Sequence, residues 1–326
     1  MVCLALLAAI ELSMHSDVLL YRYRSVFAVG RAMDKLRYVE HFEPAFLIAG
    51  NSRVDNGFDP DTLLGPDASA RGLSAFNLGI PGANARIFHG MLTRLERAGK
   101  LGPQKIGKVL IGLDESFLQT DDSLGYSVFF ADRRALWRQH AYLDWLRSWL
   151  RLWGYGAHFK EMREPEKLLR FLDASRRQIE PVGGGAAERR GYRPGFGGKF
   201  QDAEQISRQE AGSRQPPDAE TLYYFWEAIR LLQRNKVDIA VVFPPMLHRD
   251  VAYLVDEAWA TPYRNIRNEL TALQIPQIAL ESGMHRNPKE FVNAGHLNDQ
   301  GAQRYTALLR AQLSHSWPQL IGHAAP

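Results

Sequence analysis

Five short, nearly continuous apolar runs punctuate the chain, each closed by turn-forming residues. They are Ala45–Ala49 (AFLIA), Ala75–Ile80 (AFNLGI), Lys108–Leu113 (KVLIGL), Val237–Phe243 (VDIAVVF) and Pro276–Leu280 (PQIAL). Runs of this length without polar alternation suit strands buried on both faces, as in a parallel sheet. Helical periodicity fills the spaces: Ala85–Lys100 before the third run, Asp218–Asn235 before the fourth, Val251–Leu273 before the fifth and Asp299–Leu313 after it. Asp218, after two prolines, and Asn298 are the expected N-caps. Strand and helix in alternation predict an α/β fold, doubly wound around a mainly parallel five-stranded sheet. Its functional loops should leave the carboxyl ends of the strands.

One long segment breaks that rhythm. Residues from about 131 to 153 read as helix and carry Trp137, Trp145, Trp149 and Trp153 among many arginines. From Gly183 to Pro217 the chain is dense in Gly, Arg, Gln and Pro, the composition of a long loop. Together these predict an insertion at about 131–217 between the third and fourth strands. Either it shapes a substrate groove on the face of the functional loops, or it has no part in the site. Trp145, Trp149 and Trp153 recur at i, i+4 and i+8, the spacing of a helix stripe turned to a core. Stacking on sugar rings is the other use of such residues. The chain thus divides into an N-terminal segment, 1–44, a domain at 45–315 that includes the insertion, and a tail at 316–326.

Composition narrows the class. At 45% hydrophobic and 23% charged, the chain is too apolar to stay disordered. Its 40 Lys and Arg face 36 Asp and Glu, a net charge of +4, so no nucleic-acid partner is expected. The arginines clustered around Arg176–Arg193 read as a solvated basic loop. The one cysteine, Cys3, excludes an intrachain disulfide and a cysteine-based metal site. Met1–Ile10 (MVCLALLAAI) is apolar up to Glu11, yet too short to span a bilayer as written and without a signal peptide's basic start and cleavage site. It reads as the end of a membrane anchor clipped by a late start codon; an amphipathic helix packed on the domain is the alternative.

Candidate chemistry lies at two distant points. The first strand runs into Gly50-Asn51-Ser52-Arg53-Val54. A serine in the tight turn after a buried strand is presented at the sheet's carboxyl end, where its backbone N–H favours developing negative charge. Its hydroxyl needs a neighbouring base to attack anything; alone, such a serine is an N-cap. Phe291–Asn298 supplies an imidazole in His296, with Asn293 three positions earlier. One ring nitrogen can be oriented while the other faces Ser52. A structural histidine at a helix start is the plainer reading.

Taken in order, four blocks resemble those of the SGNH (GDSL-like) hydrolase family. Gly50-Asn51-Ser52-Arg53 stands where that family has Gly-Asp-Ser-x, and Asn77-Leu78-Gly79-Ile80-Pro81-Gly82 corresponds to its second block. Gly112-Leu113-Asp114-Glu115 stands for Gly-x-Asn-Asp, and Asn293-Ala294-Gly295-His296 for Asp-x-x-His, followed by the frequent Leu-Asn-x-x-Gly at Leu297–Gly301. The resemblance covers roughly residues 45–120 and 235–315. It implies a flavodoxin-like sheet, Ser52 attacking an ester carbonyl, and His296, oriented by Asn293, taking the proton. It also places the backbone N–H groups of Ser52 and Gly82 toward the oxyanion, with Asn51, Arg53 and Asp114 around the oxyanion and substrate. Gly82 equally suits a turn needing positive φ after Pro81.

Two departures bear on activity. Asp114 replaces the family's asparagine, and an ionised carboxylate would repel an oxyanion unless protonated or turned aside. Asn293 replaces its aspartate; the equivalent change in a serine protease costs about 10⁴ in turnover. Asp55, Asp59 and Asp299 are the nearby carboxylates that could compensate. The blocks look most like those of membrane-anchored cell-envelope members linked to O-acetylation of exopolysaccharides and wall polymers, which implies a domain outside the cytoplasm.

On that resemblance the chain is an esterase or O-acyltransferase acting through a Ser52 acyl-enzyme, its partner an acylated carbohydrate or small ester. A plain carboxylesterase and a non-catalytic glycan-binding or scaffold domain are the alternatives, and Asn293 and Asp114 favour the last. A nucleotide-binding module lacks its glycine-rich loop. His248 is a surface or pocket-lining histidine, and His89 and His285 stand alone, so neither metal nor organic cofactor is expected.

Overall fold

The computed structural model describes residues 2–65, 74–122, 124–156, 160–182, 188–200, 216–247, 261–280 and 284–317. Three helices come first: α1 (Val2–Met14), α2 (Asp17–Arg22) and α3 (Ala28–Phe42). Strand β1 (Phe46–Gly50) leads to the short helices α4 (Ser52–Gly57) and α5 (Pro60–Leu64), then to β2 (Ala75–Gly79), α6 (Ala85–Arg97) and β3 (Lys108–Gly112). Then comes α7 (Ser127–Phe130), and the insertion holds α8 (Arg133–Arg138), α9 (Tyr142–Trp149), α10 (Arg151–Gly154) and α11 (Pro165–Arg176). The chain then passes through α12 (Ala219–Arg234), β4 (Asp238–Val242), α13 (Thr261–Ala272) and β5 (Gln277–Ile278). A small hairpin, β6 (Phe291–Asn293) and β7 (His296–Leu297), precedes the last helix, α14 (Asp299–Ser316).

The five strands of the main sheet pair in parallel in the order β2-β1-β3-β4-β5. This is an α/β architecture consistent with a flavodoxin-like fold. Alternate residues of each strand feed two cores. Leu47, Ala49, Val109, Ile111, Ile239 and Val241 pack with α3, α6 and α12 on one face. Phe46, Ile48, Leu110, Ala240 and Val242 pack with α5 and α14 on the other. That double burial is why the strand sequences read as unbroken apolar runs. Of the two edge strands, β2 keeps five residues, while β5 shrinks to two of its five-residue run. Because β1 lies between β2 and β3, the chain turns one way after β1 and the other way after β2, and a crevice opens at the carboxyl ends there. Ser52 stands two positions past the end of β1, and Asp114 two positions past the end of β3.

Local expectations divide. Asn298 caps α14, its side chain accepting from the Gly301 N–H at 2.8 Å. Asp218 occupies the cap position of α12 without making a cap bond. Its Oδ2 instead accepts from the N–H and hydroxyl of Thr120, at 2.6 and 2.9 Å. The expected helix from Val251 is described only from Thr261, and the Gly183–Pro217 stretch only at 183's far side, over 188–200, and at its end; residues 201–215 and His248 lie outside the described residues. The tryptophan stripe does not face a core. The helix breaks at Leu150 (φ −105°, ψ 71°), and Trp149 and Trp153 are 49% and 50% exposed. The guanidiniums of Arg133 and Arg147 lie over their rings, 3.9 and 5.7 Å from the centroids. Helix α1 is exposed along most of its length, with only Met14 buried. Among the described residues no helix is long and apolar enough to cross a membrane.

Candidate active site

Ser52 is the first residue of α4, directly after Asn51, whose Oδ1 accepts from the Arg53 N–H at 3.0 Å and caps the helix. Buried side chains hold this short helix from several directions. Asn77 of β2 is fully buried and donates to the carbonyls of Val54 and Phe58, at 2.8 and 2.7 Å, while its Oδ1 accepts from the Gly79 N–H. Asp55 pairs with Lys35 of α3, whose Nζ lies 2.5 Å from Asp55 Oδ1 and 2.6 Å from the Gly79 carbonyl. Sequence spacing gave no hint of Lys35; a lysine in an amphipathic helix ordinarily points to solvent.

His296 reaches Ser52 from β7, 244 positions further along the chain. Its Nε2 lies 2.7 Å from Ser52 Oγ and its Nδ1 lies 2.9 Å from Asn293 Oδ1. The latter oxygen also accepts the N–H groups of Gly295 and His296, at 3.1 and 2.9 Å. Two backbone donors identify that atom as the amide oxygen, which can only accept. Nδ1 therefore carries the ring hydrogen, Nε2 is bare, and the Ser52 hydroxyl donates to it. At Gly295 in the hairpin turn, a Cβ would sit 2.7 Å from Arg53 Nε, so a larger residue there would have to displace the Arg53 side chain.

The ring is held neutral. Burial and the Arg53 guanidinium push the His296 pKa down to about 4, against a smaller opposing pull from Asp114 and Asp55. Among the described residues no carboxylate bonds to the far side of the ring. The three candidates are used elsewhere: Asp55 pairs with Lys35, Asp59 caps α5, and Asp299 accepts the N–H groups of Gly195, Phe196 and Gly197.

Asp114 is turned away from the nucleophile. It is buried and accepts from both sides: Asn51 Nδ2 at 2.9 Å on each oxygen, the Ser116 hydroxyl at 2.7 Å and the Phe117 N–H at 3.0 Å. Arg53 Nε lies 3.6 Å from it, and Arg53 Nη1 donates to Met246 Sδ at 3.0 Å. Asn51 is thus occupied with Asp114 and Ser116 rather than free to meet a ligand. Ser116, two positions after Asp114, was not singled out by the sequence reading; a serine at that offset from an aspartate is the signal that could have found it.

Ser52, Asn51 and Gly82 line one cleft of about 930 Å³, shared with Ala83, Ser116, Gln119 and Thr120 and with an acidic side at Asp121, Asp122 and Asp218. Gly82 has φ +75°, and a Cβ there would lie 3.0 Å from Leu124, so the turn calls for glycine. Among the described residues no tryptophan lines the cleft. The arrangement offers a hydroxyl hydrogen-bonded to a neutral imidazole of fixed tautomer, at the mouth of an open polar groove. Neither a scan against protein-family models nor a search among curated proteins finds a match to this chain.

Proposed function

We propose that the chain is an SGNH-type serine esterase or O-acyltransferase that acts through a Ser52 acyl-enzyme, on acyl or acetyl groups of a cell-envelope polysaccharide or exopolysaccharide. The observation that carries the reading is the 2.7 Å contact between Ser52 Oγ and the bare Nε2 of His296. Nucleophile and oriented base within hydrogen-bond reach are the common signature of such sites.

Ser52 Oγ attacks the ester carbonyl carbon while its proton passes to His296 Nε2. The carbonyl oxygen becomes an oxyanion facing the backbone N–H groups of Ser52 and Gly82. Collapse breaks the ester C–O bond, the departing alkoxy oxygen takes the proton from His296, and the acyl group stays on Ser52. Water or a sugar hydroxyl then gives its proton to His296 and attacks the acyl carbon; the acyl C–Oγ bond breaks, and Ser52 Oγ takes the proton back from His296. The resemblance in the four blocks supports this route, as does the exchange at Asn51 and Asp114. The family's carboxylate and amide at these two positions are here an amide and a carboxylate, bonded to each other. Asp114 then supplies no amide to the oxyanion, whose stabilisation falls to the backbone; one such donor is worth about 3–4 kcal/mol. The apolar N-terminal segment fits a membrane-anchored domain outside the cytoplasm.

A second reading has its own support. With Asn293 behind it and Arg53 beside it, His296 is a weak base, as befits a non-catalytic glycan-binding or scaffold domain. Fluorophosphonate labelling followed by intact-mass measurement separates the two. A single adduct, lost in Ser52→Ala and in His296→Gln, is the expected result; absence of an adduct at Ser52 at any pH would refute the acyl-enzyme. Release of acetate from an activated acetyl ester, with and without an oligosaccharide acceptor, then divides hydrolysis from transfer.

A further inference from the structure

A second cavity, of about 410 Å³, shares no lining residue with the Ser52 cleft. It lies between α3, the Asp55 side of α4 and the segment 189–194 of the insertion. Its charged lining is Lys35, Asp55 and Asp34 with Arg24, Arg31, Arg189 and Arg193, and Arg24 Nε lies 3.9 Å from Asp34 Oδ1. Lys35 is taken up by Asp55 and the Gly79 carbonyl, and Arg24 by Glu180. The other arginines are not. Among the described residues the guanidiniums of Arg31 and Arg189 have no hydrogen-bond or ion-pair partner, and Arg193 approaches only Asp55 Oδ2, at 4.0 Å.

Two details show that this is a constructed place rather than an accident of loop packing. The segment that brings Arg189 and Arg193 is pinned: Tyr192 is 5% exposed, the Arg193 N–H donates to the Asp55 carbonyl at 3.0 Å, and Asn56 donates to the Arg193 carbonyl at 2.8 Å. It holds left-handed backbone at Arg189 and Arg190, φ 52° and 49°, a strain that the surrounding contacts must maintain. Second, the Asp55 side chain is fully buried, and its Oδ2 has no hydrogen-bond donor. A buried carboxylate oxygen without a donor is costly to leave so. Burial first, and repulsion from Arg193 second, lower the Arg31 pKa against smaller opposing pulls from Asp55, Tyr126 and Asp34.

We propose that this cavity binds phosphate, free or as a hydroxylated monoester, its anionic oxygens on Arg31, Arg189 and Arg193 and a hydroxyl of the same ligand donating to Asp55 Oδ2. Guanidiniums suit oxyanions because their planar fork of donors matches two oxygens at once. Asp55 supplies the selectivity. Hydrogen phosphate has one O–H to offer that carboxylate, and a hydroxylated phosphate monoester has its alcohol. Sulfate has neither, and would set an oxygen lone pair against the carboxylate. The site does not rest on the acyl-transfer reading: it shares no lining residue with the Ser52 cleft, although Asp55 belongs to the same short helix as Ser52.

Calorimetric titration of the full chain with inorganic phosphate, glycerol 3-phosphate and sulfate at matched ionic strength tests it. Saturable phosphate binding is expected, with sulfate at least about tenfold weaker and with Arg31→Gln and Arg193→Gln each costing about tenfold in affinity. Tighter glycerol 3-phosphate than phosphate would assign the site to a phosphorylated compound, the reverse to the free ion; either supports the proposal. No saturable binding of either, equal affinity for sulfate, or binding indifferent to both substitutions would overturn it. Should Arg31→Gln lose its native circular dichroism, the half-exposed Arg193 carries the test alone.

Discussion

Replacing Asn293 by aspartate exchanges an amide for a carboxylate of the same shape behind His296. The three hydrogen bonds that Asn293 Oδ1 now accepts are equally available to a carboxylate oxygen. What changes is charge. A unit negative charge about 4 Å from the imidazolium is worth about 4 kcal/mol at an effective dielectric constant of about 20. That equals about three pKa units, enough to lift His296 from about 4 into the neutral range. If the same energy stabilises the imidazolium formed as Ser52 attacks, turnover rises by about 10³, within the about 10⁴ known for the corresponding serine-protease change. The assay is kcat/KM for an activated acetyl ester from pH 4 to 9. Only the neutral ring acts as a base, so kcat/KM falls as pH drops through the His296 pKa of the free enzyme. The wild-type acid limb should lie near pH 4, and that of Asn293→Asp near neutrality with a higher plateau. A wild-type limb already near pH 6.5, or a plateau unmoved by the substitution, would refute the claim that a missing charge behind the ring limits this site.

Three further outcomes follow from buried polar groups. His296 is held at about 4 in the folded state against an ordinary value of 6.5, so between these the unfolded chain binds the extra proton. Stability should therefore fall as pH drops from about 6.5 to about 4, by at most about 3 kcal/mol, and urea unfolding of His296→Gln should lack that component. Lys35→Ala leaves Asp55 buried without its partner and should cost about 3–5 kcal/mol in urea, far more than the double change Lys35→Met with Asp55→Leu. Asn77→Ala strands two carbonyls and one N–H around α4; a loss of about 2–4 kcal/mol is expected by the same measurement.

Much of this architecture can be read from the chain because burial on both faces leaves a plain signature. The runs at Ala45, Ala75, Lys108 and Val237 match β1 to β4 within a residue or two, since each strand has a neighbour on both sides or a helix layer on both faces. Ser52 and His296 were legible for a related reason: each follows a short extended element, where the fold leaves side chains facing a crevice. What spacing cannot show is which long-range partner a polar side chain takes. Lys35 and Asp55 are separated by 20 positions, and nothing in α3 distinguishes a lysine turned inward from one in solvent. The hairpin that orients His296 is two and three residues a side, too short for any periodicity. The tryptophans misled because their helical spacing continues through Leu150, where the backbone does not.

The two positions nearest the nucleophile where the chain differs from the SGNH blocks it resembles, Asn51 and Asp114, are coupled, which makes changing either alone uninformative. Asn51 Nδ2 donates to both oxygens of Asp114. Asp114→Asn alone sets one NH₂ group against another and strands buried hydrogen-bond capacity, at about 1–3 kcal/mol. Asn51→Asp alone sets a second carboxylate against a buried one, at a larger cost. Made together, the two changes restore an amide facing a carboxylate, with the Arg53 N–H still accepted by residue 51 and the Phe117 N–H left to the amide oxygen of residue 114. Urea unfolding of the four proteins of this cycle should give a favourable coupling of about 2 kcal/mol or more, well above the few tenths seen for independent sites. Additive losses would mean that the amide–carboxylate contact contributes nothing of its own. In that case the exchange at 51 and 114 would be two unrelated substitutions, and its support for the hydrolase reading would fall away.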